Sequence, residues 1–140
     1  MTFLAPLPPV VVDASIAVEL VLDGSASIKA EWGSWIDQDR LMLAPALFWL
    51  EVANALLRGQ KLPASDVSLR LDGLEAAGLE TGDRGAQGAR DASDLAAQHG
   101  LTVYDAAYLS LAIEVDGELA TRDVALARAA TAEGIALAID

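Results

Sequence analysis

The sequence of 140 residues contains no cysteine. Disulfide bridges, zinc knuckles and thiol catalysis are thereby excluded, and a reducing compartment is permitted. Histidine occurs once, as His99 beside Gly100 at an expected helix end, where it suits the helix dipole better than a catalytic role. With that one imidazole, a Ser-His-Asp arrangement is disfavoured. Lysine occurs only as Lys29 and Lys61, and the 9 Lys and Arg face 21 Asp and Glu, for a formal net charge of −12. That balance excludes a generic basic nucleic-acid-binding module, which gains affinity by covering phosphates with cations. Aromatic residues make up 5% of the chain. Trp32, Trp35 and Trp49 could stack on bases, but their helical spacing fits core or subunit contacts better. No phosphate-cradling GxxxxGK[ST] or GxGxxG pattern is present. Long apolar runs are lacking too: the stretch 10–22 is broken by Asp13 and Glu19, so no transmembrane helix is expected. The first nine residues carry three prolines and no basic cluster, which makes a poor signal peptide. A soluble, cytoplasmic protein without membrane contact is expected.

What is present is apolar and patterned. Residues of the AVILMFWYC set supply 54% of the chain, enough for one well-packed domain over 1–140, with 1–9 as a proline-rich N-terminal extension. Val10–Val12 predicts a short buried strand. Helices are expected over 14–22 and 25–36, with a break at Asp23-Gly24 between them. Leu41-Met-Leu43 is a second apolar run, stopped by Pro45. A strongly apolar helix is expected over 46–58, closed by Gly59. Further helices are expected from Pro63 towards Gly78, over 86–99 closed by Gly100, over 104–115 and over 124–133. Leu79–Thr81, Leu101-Thr-Val103, 118–121 and 135–139 read as short strands. This alternation predicts an α/β domain with a mainly parallel sheet covered on both faces.

In open α/β sheets, ligands bind beyond the carboxyl ends of the strands. Three aspartates follow expected strands: Asp13 after Val10–Val12, Asp105 after the run at 101–103, and Asp123 after 118–121. Glu51 lies inside the most apolar helix, where a charge is costly without a partner. Singly, each has an ordinary explanation: Asp13 and Asp105 suit helix N-caps, and Glu51 could snorkel from a half-exposed face. Together, four acids with no lysine among them would repel one another unless a cation intervenes. Without cysteine and with a single histidine, that cation is a hard, oxygen-loving one such as Mg²⁺ or Mn²⁺. Ser15 and Thr121, two residues from Asp13 and Asp123, could hydrogen-bond the carboxylates or a phosphate. Asn54, one helical turn after Glu51, could do the same. Local capping or packing accounts for these three equally well. Arg122, beside Asp123, is the arginine best placed to meet a phosphate.

These residues resemble the PIN-domain family and, within it, the VapC toxins of toxin–antitoxin pairs. The likeness runs over nearly the whole chain. It is carried by Val-Val-Val-Asp13-Ala-Ser15, Leu50-Glu51-Val-Ala-Asn54-Ala-Leu-Leu-Arg58, Thr102-Val-Tyr-Asp105-Ala-Ala-Tyr108-Leu-Ser-Leu-Ala112 and Leu119-Ala-Thr121-Arg-Asp123-Val-Ala-Leu126. The resemblance implies a PIN-like three-layer α/β/α sandwich with a mainly parallel central sheet. It implies an Mg²⁺- or Mn²⁺-dependent endoribonuclease with Asp13, Glu51, Asp105 and Asp123 in its acidic pocket. It also implies transfer RNA or ribosomal RNA as substrate, a homodimer, and a VapB-type antitoxin that binds the toxin in a heterotetramer or larger assembly. Asp13 and Asp105 are expected to ligate the main metal, with Asp123 and Glu51 binding directly, through waters, or to a second ion.

Two other classes compete. A phosphohydrolase or phospho-receiver domain would use Asp13 as nucleophile. Such a site needs a second aspartate close by and a strand-end lysine, whereas position 15 is Ser15 and neither lysine follows a strand. A non-catalytic interaction module would keep the fold for the apolar helix at 46–57 alone. The presence of all four acids argues against it.

Overall fold

The computed structural model describes residues 6–22 and 25–139. Most of the N-terminal extension (residues 1–5) and the break at Asp23-Gly24 lie outside the described residues. Four short strands, β1 (Val10–Val12), β2 (Met42–Ala44), β3 (Leu79–Thr81) and β4 (Glu118–Ala120), form one sheet in the order β3-β2-β1-β4. Every pairing is parallel, with Val11 opposite Leu43 on one side and Leu119 on the other. The three valines of β1 have no exposed surface. A strand buried on both faces has no use for polar alternation, which is why an unbroken β-branched run forms the centre of the sheet.

Among the described residues, seven α-helices join and cover these strands: α1 (Ala14–Val21), α2 (Ala26–Asp37), α3 (Leu47–Asn54), α4 (Ala64–Ala76), α5 (Gly85–His99), α6 (Val103–Glu114) and α7 (Val124–Ala132). α1 packs against α2, α3 and α4, while α6 packs against α5, α7, β1 and β4. Parallel crossovers are right-handed as a rule, which places α1–α4 on one face as the chain steps from β1 to β2 to β3 and α5 and α6 on the other as it returns to β4. The result is the expected α/β sandwich, its sheet wholly parallel.

The returning step matters most for function. β1 has β2 on one side and β4 on the other, so the strand order reverses between β1 and β4. Crevices for ligands form at such switch points, beyond the carboxyl ends of the two strands. At the opposite end, Arg40 fastens the sheet: its Nε donates to the Pro8 carbonyl at 2.9 Å and its guanidinium pairs with Glu118 at 2.9 Å. Gly117 lets the chain pass there, because a Cβ would stand 2.7 Å from the Pro9 carbonyl oxygen.

Several expected elements differ in the structure. Leu101-Thr-Val103 is not a strand. Thr102 is the N-cap of α6, its Oγ1 accepting the Asp105 N–H at 3.0 Å, and Asp105 sits in the first turn of that helix. The last strand, expected over 135–139, shrinks to one bridge between Leu119 and Leu137. The Ile135 N–H is still spent on the Ala130 carbonyl, so the chain leaves α7 too late to pair further. The helix expected over 46–58 is α-helical only to Asn54 and continues as a π-helical turn, Ala55–Gly59. Gly59 lies within that turn, and Gln60 caps it. Gly100 does close α5 in the left-handed region, at φ 67. Trp32 and Trp35 are buried against each other, and Trp49 donates its indole N–H to Thr81 Oγ1 at 2.8 Å. His99 pairs with Glu133 at 2.9 Å in the last turn of α5.

Candidate active site

Asp13 leaves β1 in extended conformation and occupies the N-cap position of α1, but its side chain accepts no capping bond. Its N–H reaches the Ala120 carbonyl at 2.9 Å and so prolongs the β1–β4 ladder by one rung. The carboxylate is therefore left for other partners. Oδ2 accepts the Thr121 hydroxyl at 2.6 Å and the Ser15 hydroxyl at 3.0 Å. Each hydroxyl also accepts a backbone amide, Thr121 that of Asp123 at 3.0 Å and Ser15 that of Arg122 at 3.2 Å. With their lone pairs engaged in this way, both hydroxyl protons are directed at Asp13. The end of β1, the start of α1 and the loop from β4 to α7 are thus locked around one carboxylate.

That carboxylate is only 8% exposed. Burial raises its pKa above the ordinary aspartate value, against the lowering by Thr121 and Ser15, and the charge of Asp105 adds to the rise. Glu51 projects from the middle of α3 and does not snorkel to solvent. Its Oε1 accepts the phenolic hydroxyl of Tyr108 at 2.5 Å. Burial raises the Glu51 pKa as well, and the charges of Asp13 and Asp105 push in the same direction. Asp13, Glu51 and Asp105, from β1, α3 and α6, therefore form one mutually repelling group.

Asp123 behaves differently. It is the N-cap of α7, its Oδ1 accepting the Leu126 N–H at 3.0 Å, and it reaches Asp13 through the hydroxyl of Thr121. The capping explanation weighed for Asp13 and Asp105 thus applies to Asp123. Arg122 directs its guanidinium to Glu19, Nε to Oε1 at 2.9 Å and Nη2 to Oε2 at 3.3 Å, a two-toothed pair that raises its pKa. Asn54 is exposed at the end of α3. No role was expected for Tyr108 or Glu19. Their available signals were spacing alone: Tyr108 lies three residues after Asp105, and Glu19 lies one turn after Ser15.

All the donors are oxygens, and two of the three repelling carboxylates are pushed toward their neutral forms. Both features suit a hard divalent cation. Among the described residues, no three acidic or imidazole side chains are close enough to chelate one ion together. A cavity of about 340 Å³ opens between the starts of α3, α5 and α6, lined by Pro45, Leu47, Gly88, Val103, Tyr104 and Ser110 among others. None of the four acids lines it.

Comparison with known proteins agrees with this architecture. No curated protein matches the sequence. Among solved structures, the chain is similar to VapBC2 from Rickettsia felis bound to a DNA fragment from their promoter. There the TM-score is 0.70 at 16% identity, covering 91% of this chain and 96% of that one. It is also similar to PAE2754 from Pyrobaculum aerophilum, with a TM-score of 0.66 at 24% identity, covering 87% and 84% of the two chains. The model of the PIN domain matches residues 10–132, from the first valine of β1 to the end of α7. The chain belongs to the PIN domain family.

Proposed function

We propose that this protein is a divalent-metal-dependent endoribonuclease, the toxin of a VapBC-type pair, built as a single PIN domain over 1–140 and acting in the cytoplasm. The observation that carries this reading is the group formed by Asp13, Glu51 and Asp105 at the switch point between β1 and β4. Burial raises the pKa of Asp13 and of Glu51, and the charge of Asp105 pushes both the same way, so the group has charge to spare for a cation. Mg²⁺ commonly binds through one or two carboxylates and keeps several waters, so Asp13 and Asp105 suffice as its direct ligands. Mn²⁺ would use the same oxygens. Glu51 and Asp123 would then bind waters of that ion or serve a second one. When bound, the metal supplies an acidified water as nucleophile and stabilises the leaving oxygen.

The chain's own contribution is orientation. Thr121 and Ser15 hold Oδ2 of Asp13 and so fix the carboxylate that would bind the ion. Arg122, held by Glu19, sits at the rim and offers a cation to an RNA phosphate. Asn54 lies one turn beyond Glu51, where it can meet substrate.

The Rickettsia felis structure is a toxin–antitoxin pair, and that likeness supports a VapB-type antitoxin as partner here. Leu50 is 75% exposed on α3, with Leu57 exposed nearby, and this apolar surface suits a homodimer within a heterotetramer or larger complex. The substrate class is structured RNA, transfer or ribosomal. Incubation of the purified chain with transfer and ribosomal RNA in Mg²⁺ or Mn²⁺ tests the reading. Cleavage is expected to cease on chelation. Asp13→Ala and Asp105→Ala are each expected to lose more than the roughly 10–100-fold typical of outer-shell partners, with unchanged circular dichroism. Full cleavage by either variant would contradict the assignment.

A further inference from the structure

We propose that Tyr108 is a positioning residue of this site: its hydroxyl fixes Glu51 by one carboxylate oxygen and reserves the other for a water on the metal ion. The inference rests on the metal-nuclease reading above. Tyr108 has no exposed surface, and its ring is held in the core on α6. Its hydroxyl donates at 2.5 Å to Oε1 of Glu51, 57 residues away in sequence. A rigid donor on α6 therefore holds the carboxylate of Glu51 on α3.

Glu51 needs such an anchor. A glutamate side chain has several rotatable bonds, and its half-buried carboxylate is repelled by Asp13 and Asp105. Without a donor, rotation toward solvent would relieve both the burial and the repulsion. The phenol opposes that rotation with a neutral hydrogen bond, so the negative charge of Glu51 stays in the site. A lysine or arginine in its place would hold Glu51 as firmly but cancel the charge a cation needs. Because the phenol occupies Oε1, Glu51 is left to act through Oε2.

Mn²⁺ affinity measured by electron paramagnetic resonance on the full chain tests this. The chains compared are wild type, Tyr108→Phe, Glu51→Gln and the double variant, each checked for folding by thermal unfolding. Phenylalanine keeps the ring and removes only the hydroxyl. Tyr108→Phe is expected to weaken Mn²⁺ binding by roughly 10–100-fold, the range for outer-shell partners of metal ligands. In the Glu51→Gln background the same change is expected to alter affinity by less than about 2-fold, because the two residues act as a unit. Glu51→Asp, too short to keep the contact, is expected to weaken binding and to make the Tyr108→Phe change similarly silent. Equal losses in all backgrounds would mean that Tyr108 acts only through the fold, and would overturn the inference. Wild-type binding with an indifferent Tyr108→Phe overturns this inference alone. Absence of Mn²⁺ binding by the wild-type chain overturns the metal reading and this inference with it.

Discussion

At Asp13, Oδ2 takes two hydrogen bonds, from Thr121 and Ser15, yet burial still drives the group toward its neutral form. The consequence for stability follows from proton linkage. A carboxyl whose folded pKa lies above its ordinary value, 3.8 for this aspartate, contributes stability below that value and loses it as pH rises through the folded pKa. At neutral pH the charged Asp13 therefore strains the metal-free fold. Asp13→Asn keeps the shape and removes the charge. We predict that it raises the melting temperature of the metal-free protein at pH 7 by several degrees. The advantage should shrink as pH falls toward 3.8, where the wild-type carboxyl is neutral as well. Thermal scans in chelator from pH 3.5 to 7.5 measure the difference. A variant less stable than wild type at pH 7 would show that the hydrogen bonds to Oδ2 outweigh burial.

The positions of Asp13 and Asp123 were legible because a β-branched or apolar run ended at a capping residue, and both do follow strands. Glu51 was legible as a charge out of place on an apolar helix. Its partner was not. Tyr108 meets Glu51 only in the folded chain, and no local pattern encodes a contact across 57 residues. The pairing of Glu19 with Arg122 escaped for the same reason, the two being 103 residues apart.

Among the elements, α6 shows how a helix start can imitate a strand. Leu101-Thr-Val103 has the apolar, β-branched character of a short strand, and the aspartate beyond it invited a strand-end reading. Thr102 resolves the competition: as N-cap it satisfies the Asp105 amide, and the helix begins at Val103. Asp105 thus reaches the site from a first helical turn, next to the positive end of the helix dipole, where a carboxylate is favoured. Thr102→Ala should cost about 1 kcal/mol of stability, the usual loss for an N-cap. The urea midpoint should fall at constant slope. An unchanged midpoint would mean that packing alone sets the start of α6. The π-helical turn after α3 was illegible, since π and α segments share one apolar pattern over five residues. The shortened end strand was equally so, because the bond from Ile135 back to Ala130 is decided in three dimensions.

For the whole molecule, the net charge of −12 acquires a location. Asp13 stands at the reversal of strand order, Glu51 and Asp105 act on it or feel it electrostatically, and Asp123 caps the adjoining α7. The remaining acids lie mostly on the helical surface, where they keep the chain soluble and favour a basic partner segment. On the proposed function, RNA would gain little from the field of so acidic a chain, and the metal, with Arg122, would supply the attraction for phosphate.

The most direct test is to locate the ion. Crystals grown with saturating Mn²⁺ and measured near the manganese absorption edge should give an anomalous peak between Asp13 and Asp105, with Glu51 reaching the same ion through a bound water. No peak at saturating Mn²⁺, or ordered manganese only elsewhere on the surface, would contradict the account.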